Sequence, residues 1–215
     1  MLHNIIHSGA ILTGTAIHGA VMDGKIHIDN FDIKNLNPNS YNLHIGDKIS
    51  TIKPNRHRQY MGQPDSSFDQ NGIACTPSVL VTKTQSWIEL DLRDKPELIT
   101  EEIPTEGYVL SPGNLYLIST LESIYSPEYE FILTGRSSMG RLGISVHQEA
   151  GFGDIGYKGK LTLQVKVTYP TRIYPYYPMC QLYFLTPHGP IEKLYDGKYQ
   201  GATDVSGYEP DSVKE

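Results

Sequence analysis

The run Leu161-Thr162-Leu163-Gln164-Val165-Lys166-Val167 alternates apolar and polar residues at every position. Successive side chains of a strand point to opposite faces, so Leu161, Leu163, Val165 and Val167 share one face and Thr162, Gln164 and Lys166 the other. That period of two excludes a helix and requires a sheet with one covered face. Tyr41-Asn42-Leu43-His44-Ile45 repeats the pattern, between the turn signal Asn37-Pro38-Asn39-Ser40 and the closing Gly46-Asp47. Leu115 to Leu121 and Met179 to Leu185 read as further strands, and Thr105 to Leu110 as one that ends at the tight turn Ser111-Pro112-Gly113. Short strands, many turn residues and no long 3.6-residue period predict an all-β sandwich or jelly roll.

The less regular stretches bound the domain. Residues 2–28 read as a short helix or strand region broken by glycines, with Lys25-Ile26-His27-Ile28 its clearest strand signal. Residues 79–92 have strand-like composition. Residues 53–78, rich in Pro, Asn, Gln, Asp and Ser, read as a loop insertion, and Arg56, His57 and Arg58 within it as a solvated basic cluster. From Thr186 the chain is turn-rich and polar. With 215 residues and no internal repeat, one domain over 1–215 is expected, ending in an arm over 186–215.

A formal charge of −6 argues against a nucleic-acid track, so any phosphate contact should be a local pocket. Cys75 and Cys180 are too few for a disulfide scaffold and lack zinc-site spacing, which suits a reduced, cytoplasmic setting. No stretch approaches the 18 or more apolar residues of a membrane span, and no membrane partner is expected.

Chemistry concentrates between Thr134 and Leu163. Arg136, Ser137, Ser138 and Arg141 place two guanidiniums and two hydroxyls among Gly135, Gly140 and Gly143, a composition suited to phosphate. A little further on, Gly151, Gly153, Gly156 and Gly159 surround a single acid, Asp154. On composition alone, a turn whose arginines pair with surface acids and an Asp that caps a turn are equally open readings.

The order GRSSxxRxG, a histidine, then AGxxDxGxxGxxTL resembles the core of the dCTP deaminase branch of the deaminase and dUTPase superfamily. NPNSYNLHIGD resembles that family's first strand, and the similarity runs from Asn37 to Gly201, loosely over 53–104. The resemblance implies a distorted dUTPase-like jelly roll, assembled as a homotrimer whose subunits share active sites. It implies dCTP and dUTP as partners, deamination of dCTP to dUTP with ammonia, and as an extension hydrolysis of dUTP to dUMP and pyrophosphate. It further implies Mg²⁺ carried on the triphosphate with no direct protein ligand.

By the same resemblance Arg136, Ser137 and Ser138 match the triphosphate turn, and Arg141 the second arginine, beside the base. His147, Ala150 and Gly151 match the segment that reads the pyrimidine edge, and Asp154 the acid near the deoxyribose and the attacking water. Tyr195, Lys198, Tyr199 and Gln200 match an arm that closes over a neighbouring subunit's triphosphate. Ser137, Arg141, Asp154 and Gln164 thus form the expected catalytic set.

The chain departs from the family where deamination needs a base. The family's strand reads TLE, with that glutamate activating water for attack on C4 of cytosine. Here it reads Thr162-Leu163-Gln164. An amide donates and accepts hydrogen bonds but takes no proton at neutral pH, so Gln164 suits base recognition rather than proton transfer. Three further readings follow: a diphosphatase that does not deaminate, a non-catalytic nucleotide sensor, or a glutamine introduced to trap substrate. Glu149, where the family usually has threonine, either supplies the missing carboxylate or pairs with Arg141.

Overall fold

A computed structural model describes residues 11–53, 90–147 and 149–211, with backbone alone at 57–58 and 87–88. Helix α1 (Gly14–Met22) opens the chain, capped by Thr13, whose hydroxyl accepts the Ala16 N–H. Strand β1 (His27–Ile28), a 3₁₀ turn over Ile33–Asn35, β2 (Tyr41–His44) and β3 (Lys48–Ile52) follow. Next come the paired β4 (His57–Arg58) and β5 (Trp87–Ile88), then β6 (Leu98–Glu102), β7 (Tyr108–Leu110), β8 (Tyr116–Tyr125) and β9 (Glu130–Gly135). After the five-residue helix α2 (Ser137–Arg141) the chain forms β10 (Ile144–Ser145), β11 (Phe152–Gly153), β12 (Lys158–Val167), β13 (Thr171–Ile173) and β14 (Pro178–Leu185).

Two sheets carry the fold. One has the order β10-β12-β8-β3-β6 with β1 also on β8, and the other β11-β9-β14-β2. Every recorded pairing is antiparallel. Between the sheets lies one core, to which the first contributes Ile49, Ile118, Ile124, Leu163 and Val165, and the second Tyr41, Leu43, Phe131, Leu133, Leu182 and Phe184. This is the all-β sandwich that the alternation predicts. Helix α1 adds Ile17 and Ala20 to the core, which resolves the N-terminal region in favour of a helix followed by a two-residue strand.

Strand β12 keeps strict alternation, with Leu161, Leu163, Val165 and Val167 buried. Strand β8 does not. Tyr116 to Thr120 are buried on both faces, and on the second face Ser119 meets Asp204 of the terminal segment. The expected loop at 53–78 and strand at 79–92 fall mostly outside the described residues, as does Cys75. Among the described residues no helix is long and apolar enough to cross a membrane.

The terminal arm folds back on its own chain. Tyr195 N–H donates to Ile155 C=O at 2.8 Å, Gly201 N–H to Lys158 C=O at 2.8 Å, and Lys160 N–H to Ala202 C=O at 2.7 Å. Ser206 N–H then donates to Thr162 Oγ1 at 2.9 Å. The arm therefore runs beside the first half of β12. Several of the arm's backbone groups are thus paired within their own chain.

Candidate active site

Strands β9, β11 and β12 and the terminal arm enclose a cleft of about 420 Å³, within the roughly 300–1,000 Å³ of small-molecule sites. Its lining joins His147, Ala150, Gly151, Gly153, Asp154, Gln164, Tyr195 and Tyr199, which the sequence singles out, to Phe131, Leu133, Phe152, Tyr157, Leu161, Thr162, Ser206, Gly207 and Tyr208, which it does not offer as site residues. The walls are therefore largely aromatic and the polar groups few. The described lining holds one carboxylate, Asp154, and one side-chain amide, Gln164.

Asp154 stands in the turn after β11, closed by the Tyr157 N–H on the Asp154 C=O at 3.1 Å. Gly156 holds φ +88° in that turn, a conformation that other residues rarely adopt. The turn also brings Tyr157 under the arm. Its ring lies 6.2 Å from Phe131 and 5.7 Å from Tyr195, and its hydroxyl donates to Lys160 C=O at 2.5 Å. Burial first, then the neighbouring Tyr195, push the Tyr157 hydroxyl up to about 12, so the phenol stays neutral.

Gln164 lies on the polar face of β12, half-buried and opposite Leu117 of β8. No described group takes up its side-chain amide. Thr162, two residues earlier on that face, is occupied by Ser206. The period of two already places Thr162 on Gln164's face. At the far side His147 Nε2 lies 2.7 Å from Ala150 C=O, which makes Nε2–H the donor. His147 Nδ1 is then an acceptor, buried and without a partner among the described residues.

The other predicted residues stand apart from this cleft. Arg136 caps α2, and its Nη1 donates to Pro178 C=O at 2.7 Å. Ser137, Ser138 and Arg141 are exposed on α2. Gln200 clamps the arm, its Oε1 accepting the Lys158 N–H at 2.8 Å and its Nε2 donating to Gly156 C=O at 2.9 Å. Lys198 pairs with Asp211 at 2.7 Å. Glu149 pairs with Lys166 at 3.6 Å, not with Arg141, because β10 and β12 bring Lys166 beside it.

A second latch holds the arm further on. Asp204 Oδ2 accepts from Lys48 at 3.1 Å, and Oδ1 from buried Ser119 at 3.2 Å and the Val205 N–H at 2.8 Å. Lys95 pairs with Glu209, and Tyr208 O–H donates to Leu92 C=O at 2.7 Å. Nothing local marks Ser206, Gly207 or Tyr208 as cleft residues. Only this docking places them there.

A sequence model described as dCTP deaminase-like matches residues 11–186. Among curated relatives, proteins named "dCTP deaminase, dUMP-forming" are similar to the chain. That of Leptospira biflexa is 36% identical over 88% of this chain and 90% of its own length. That of Hathewaya histolytica is 35% identical over 91% and 94%, and that of Clostridium acetobutylicum 37% identical over 88% and 90%. Among solved structures, the 2'-deoxycytidine 5'-triphosphate deaminase of Agrobacterium tumefaciens superimposes with a TM-score of 0.56 at 20% identity, over 85% of this chain. This chain spans half of that longer one, and the likeness is one of fold.

Proposed function

The chain belongs to the dCTP deaminase-like family, and on that premise we propose that it hydrolyses a pyrimidine deoxynucleoside triphosphate, converting dUTP to dUMP and pyrophosphate. One observation supports the reading: Asp154 and Gln164 line the same cleft, a carboxylate that can take a water's proton and an amide that can read a base edge but takes none. In this reaction water attacks the α-phosphorus, the bond to the pyrophosphate oxygen breaks, and the water's proton passes to Asp154. Gln164 accepts the uracil N3–H through its amide oxygen and donates its N–H to O4. The tyrosines of the arm exclude bulk water.

Arg136, Ser137, Ser138 and Arg141 lie outside the cleft of their own chain. The reading of Arg136, Ser137 and Ser138 as triphosphate ligands and of Arg141 as the arginine beside the base therefore goes with a homotrimer in which one subunit's α2 turn completes a neighbour's cleft. Mg²⁺ would enter on the triphosphate's own oxygens, which leaves Asp154 free to take the water's proton. Carried on the triphosphate, Mg²⁺ would supply charge neutralisation for the leaving pyrophosphate.

A second reading has its own support in the relatives' name, "dCTP deaminase, dUMP-forming", at 36% identity. On it, water adds to C4 of dCTP and ammonia leaves before the phosphate step. Incubation with dCTP and with dUTP side by side, both in Mg²⁺ and with all products identified, separates the two. Pyrophosphate from dUTP without ammonia from dCTP supports the first. Ammonia from dCTP supports the second, and tight binding with neither product sinks both in favour of a sensor. Sedimentation that shows an active monomer would refute the shared site.

A further inference from the structure

We propose that Glu122 is a positioning residue that sets Arg136 through the β-bulge at the start of β14. The proposal rests on the reading of Arg136 as a phosphate ligand. Glu122, on β8, is 3% exposed, and nothing in the chemistry above uses it. Both its oxygens are spent on one residue of the opposite sheet. Oε2 accepts the His44 N–H at 3.0 Å, and Oε1 lies 2.6 Å from His44 Nδ1. A carboxylate is expensive to desolvate unless its lone pairs are met, and here His44 meets them.

His44 is the register partner of Pro178, and the β2–β14 ladder slips by one residue between Pro178 and Cys180. A bulge disrupts the ladder locally, so nearby backbone groups look for other partners. At this bulge two side chains supply them from opposite sides. Glu122 takes the His44 N–H, and Arg136 Nη1 donates to Pro178 C=O. Cys180 follows at the bulge, buried, its thiol pushed up by burial first, with Glu122 adding and Arg136 opposing.

With one guanidinium N–H tied to Pro178, the direction of the others is set by where that carbonyl stands. The carbonyl stands where the bulge puts it, and the bulge is pinned through His44 by Glu122. Glu122→Gln keeps the shape but replaces one accepting oxygen with a donor. His44 must then turn or shift, and the Pro178 carbonyl moves with it.

A double-mutant cycle tests this with a non-hydrolysable dUTP analogue, its Kd measured by calorimetry for the full-length wild type, Glu122→Gln, Arg136→Lys and the double variant. The expected pattern is a loss of about tenfold for each single variant and no further loss in the double. An unchanged Kd for Glu122→Gln, or the same factor lost in both backgrounds, overturns the positioning role. Wild-type affinity in Arg136→Lys instead removes the phosphate reading of Arg136, and the proposal with it. Should Glu122→Gln fail to fold, Glu122→Asp and His44→Gln enter the same cycle, with the same two outcomes deciding.

Discussion

Glu149 Oε1 lies 3.6 Å from Lys166 Nζ, beside the strand that carries Gln164, and both side chains are at least half exposed. The acid that could have replaced the family's base is thus engaged at the surface, and it does not line the cleft. Gln164→Glu should therefore raise ammonia release from dCTP by about 10²–10⁴, the usual value of a placed general base. Glu149→Gln should leave the products and rates within about twofold, since an exposed pair contributes only about 0–1 kcal/mol. Ammonia measured by coupled assay checks both; a large loss on Glu149→Gln would show that it reaches the reaction.

Asp154→Asn should lower pyrophosphate release from dUTP by about 10²–10⁴ while the Kd for the nucleotide changes little, because the amide keeps the shape but takes no proton. Equal losses in binding and turnover would make Asp154 a ligand of the nucleotide and not the proton acceptor.

Asp204→Ala should free the segment 200–208 from its own cleft. Partial burial raises the Asp204 carboxyl, but the Val205 N–H, Lys48 and Ser119 outweigh it and hold it below its ordinary value of 3.8. The latch is therefore fully present above that value and is lost as pH falls through the depressed one. Lys48 and Asp204 are each nearly half exposed, so their pairing should also weaken with salt. Faster hydrogen exchange at Lys160, whose N–H donates to Ala202 C=O, and at Ser206 and a higher KM are expected, with a melting point close to wild type. Unchanged exchange would place the arm's anchorage elsewhere, in Gln200 and its partners.

Stability should fall at alkaline pH through Tyr157. Its folded value, about 12, lies above the ordinary 10.0, so the folded chain keeps a proton that the unfolded chain gives up. Stability from this group is complete below pH 10 and declines as pH rises towards 12. Urea titrations across this range, on wild type and Tyr157→Phe, should show a shallower decline in the variant. Parallel curves would assign the decline to other tyrosines or lysines.

The alternation of Leu161 to Val167 was enough to place Gln164 on the polar side of a strand, because a period of two is a local property of extended backbone. The glycines around Asp154 likewise marked a turn open to a ligand. What pairs across long separations was not legible. Ser119 meets Asp204 over 85 residues and Thr162 meets Ser206 over 44, and these bonds, with that of Tyr208 to Leu92, make Tyr208 a wall of the cleft. Glu122 gave no sign of burial either, since Leu121 and Ser123 beside it fit an exposed acid on a strand as well as a buried one. Side-chain spacing is written in the chain, whereas the partner that satisfies a buried carboxylate or an arm's free N–H is chosen when the sheets close, and only the tertiary structure names it.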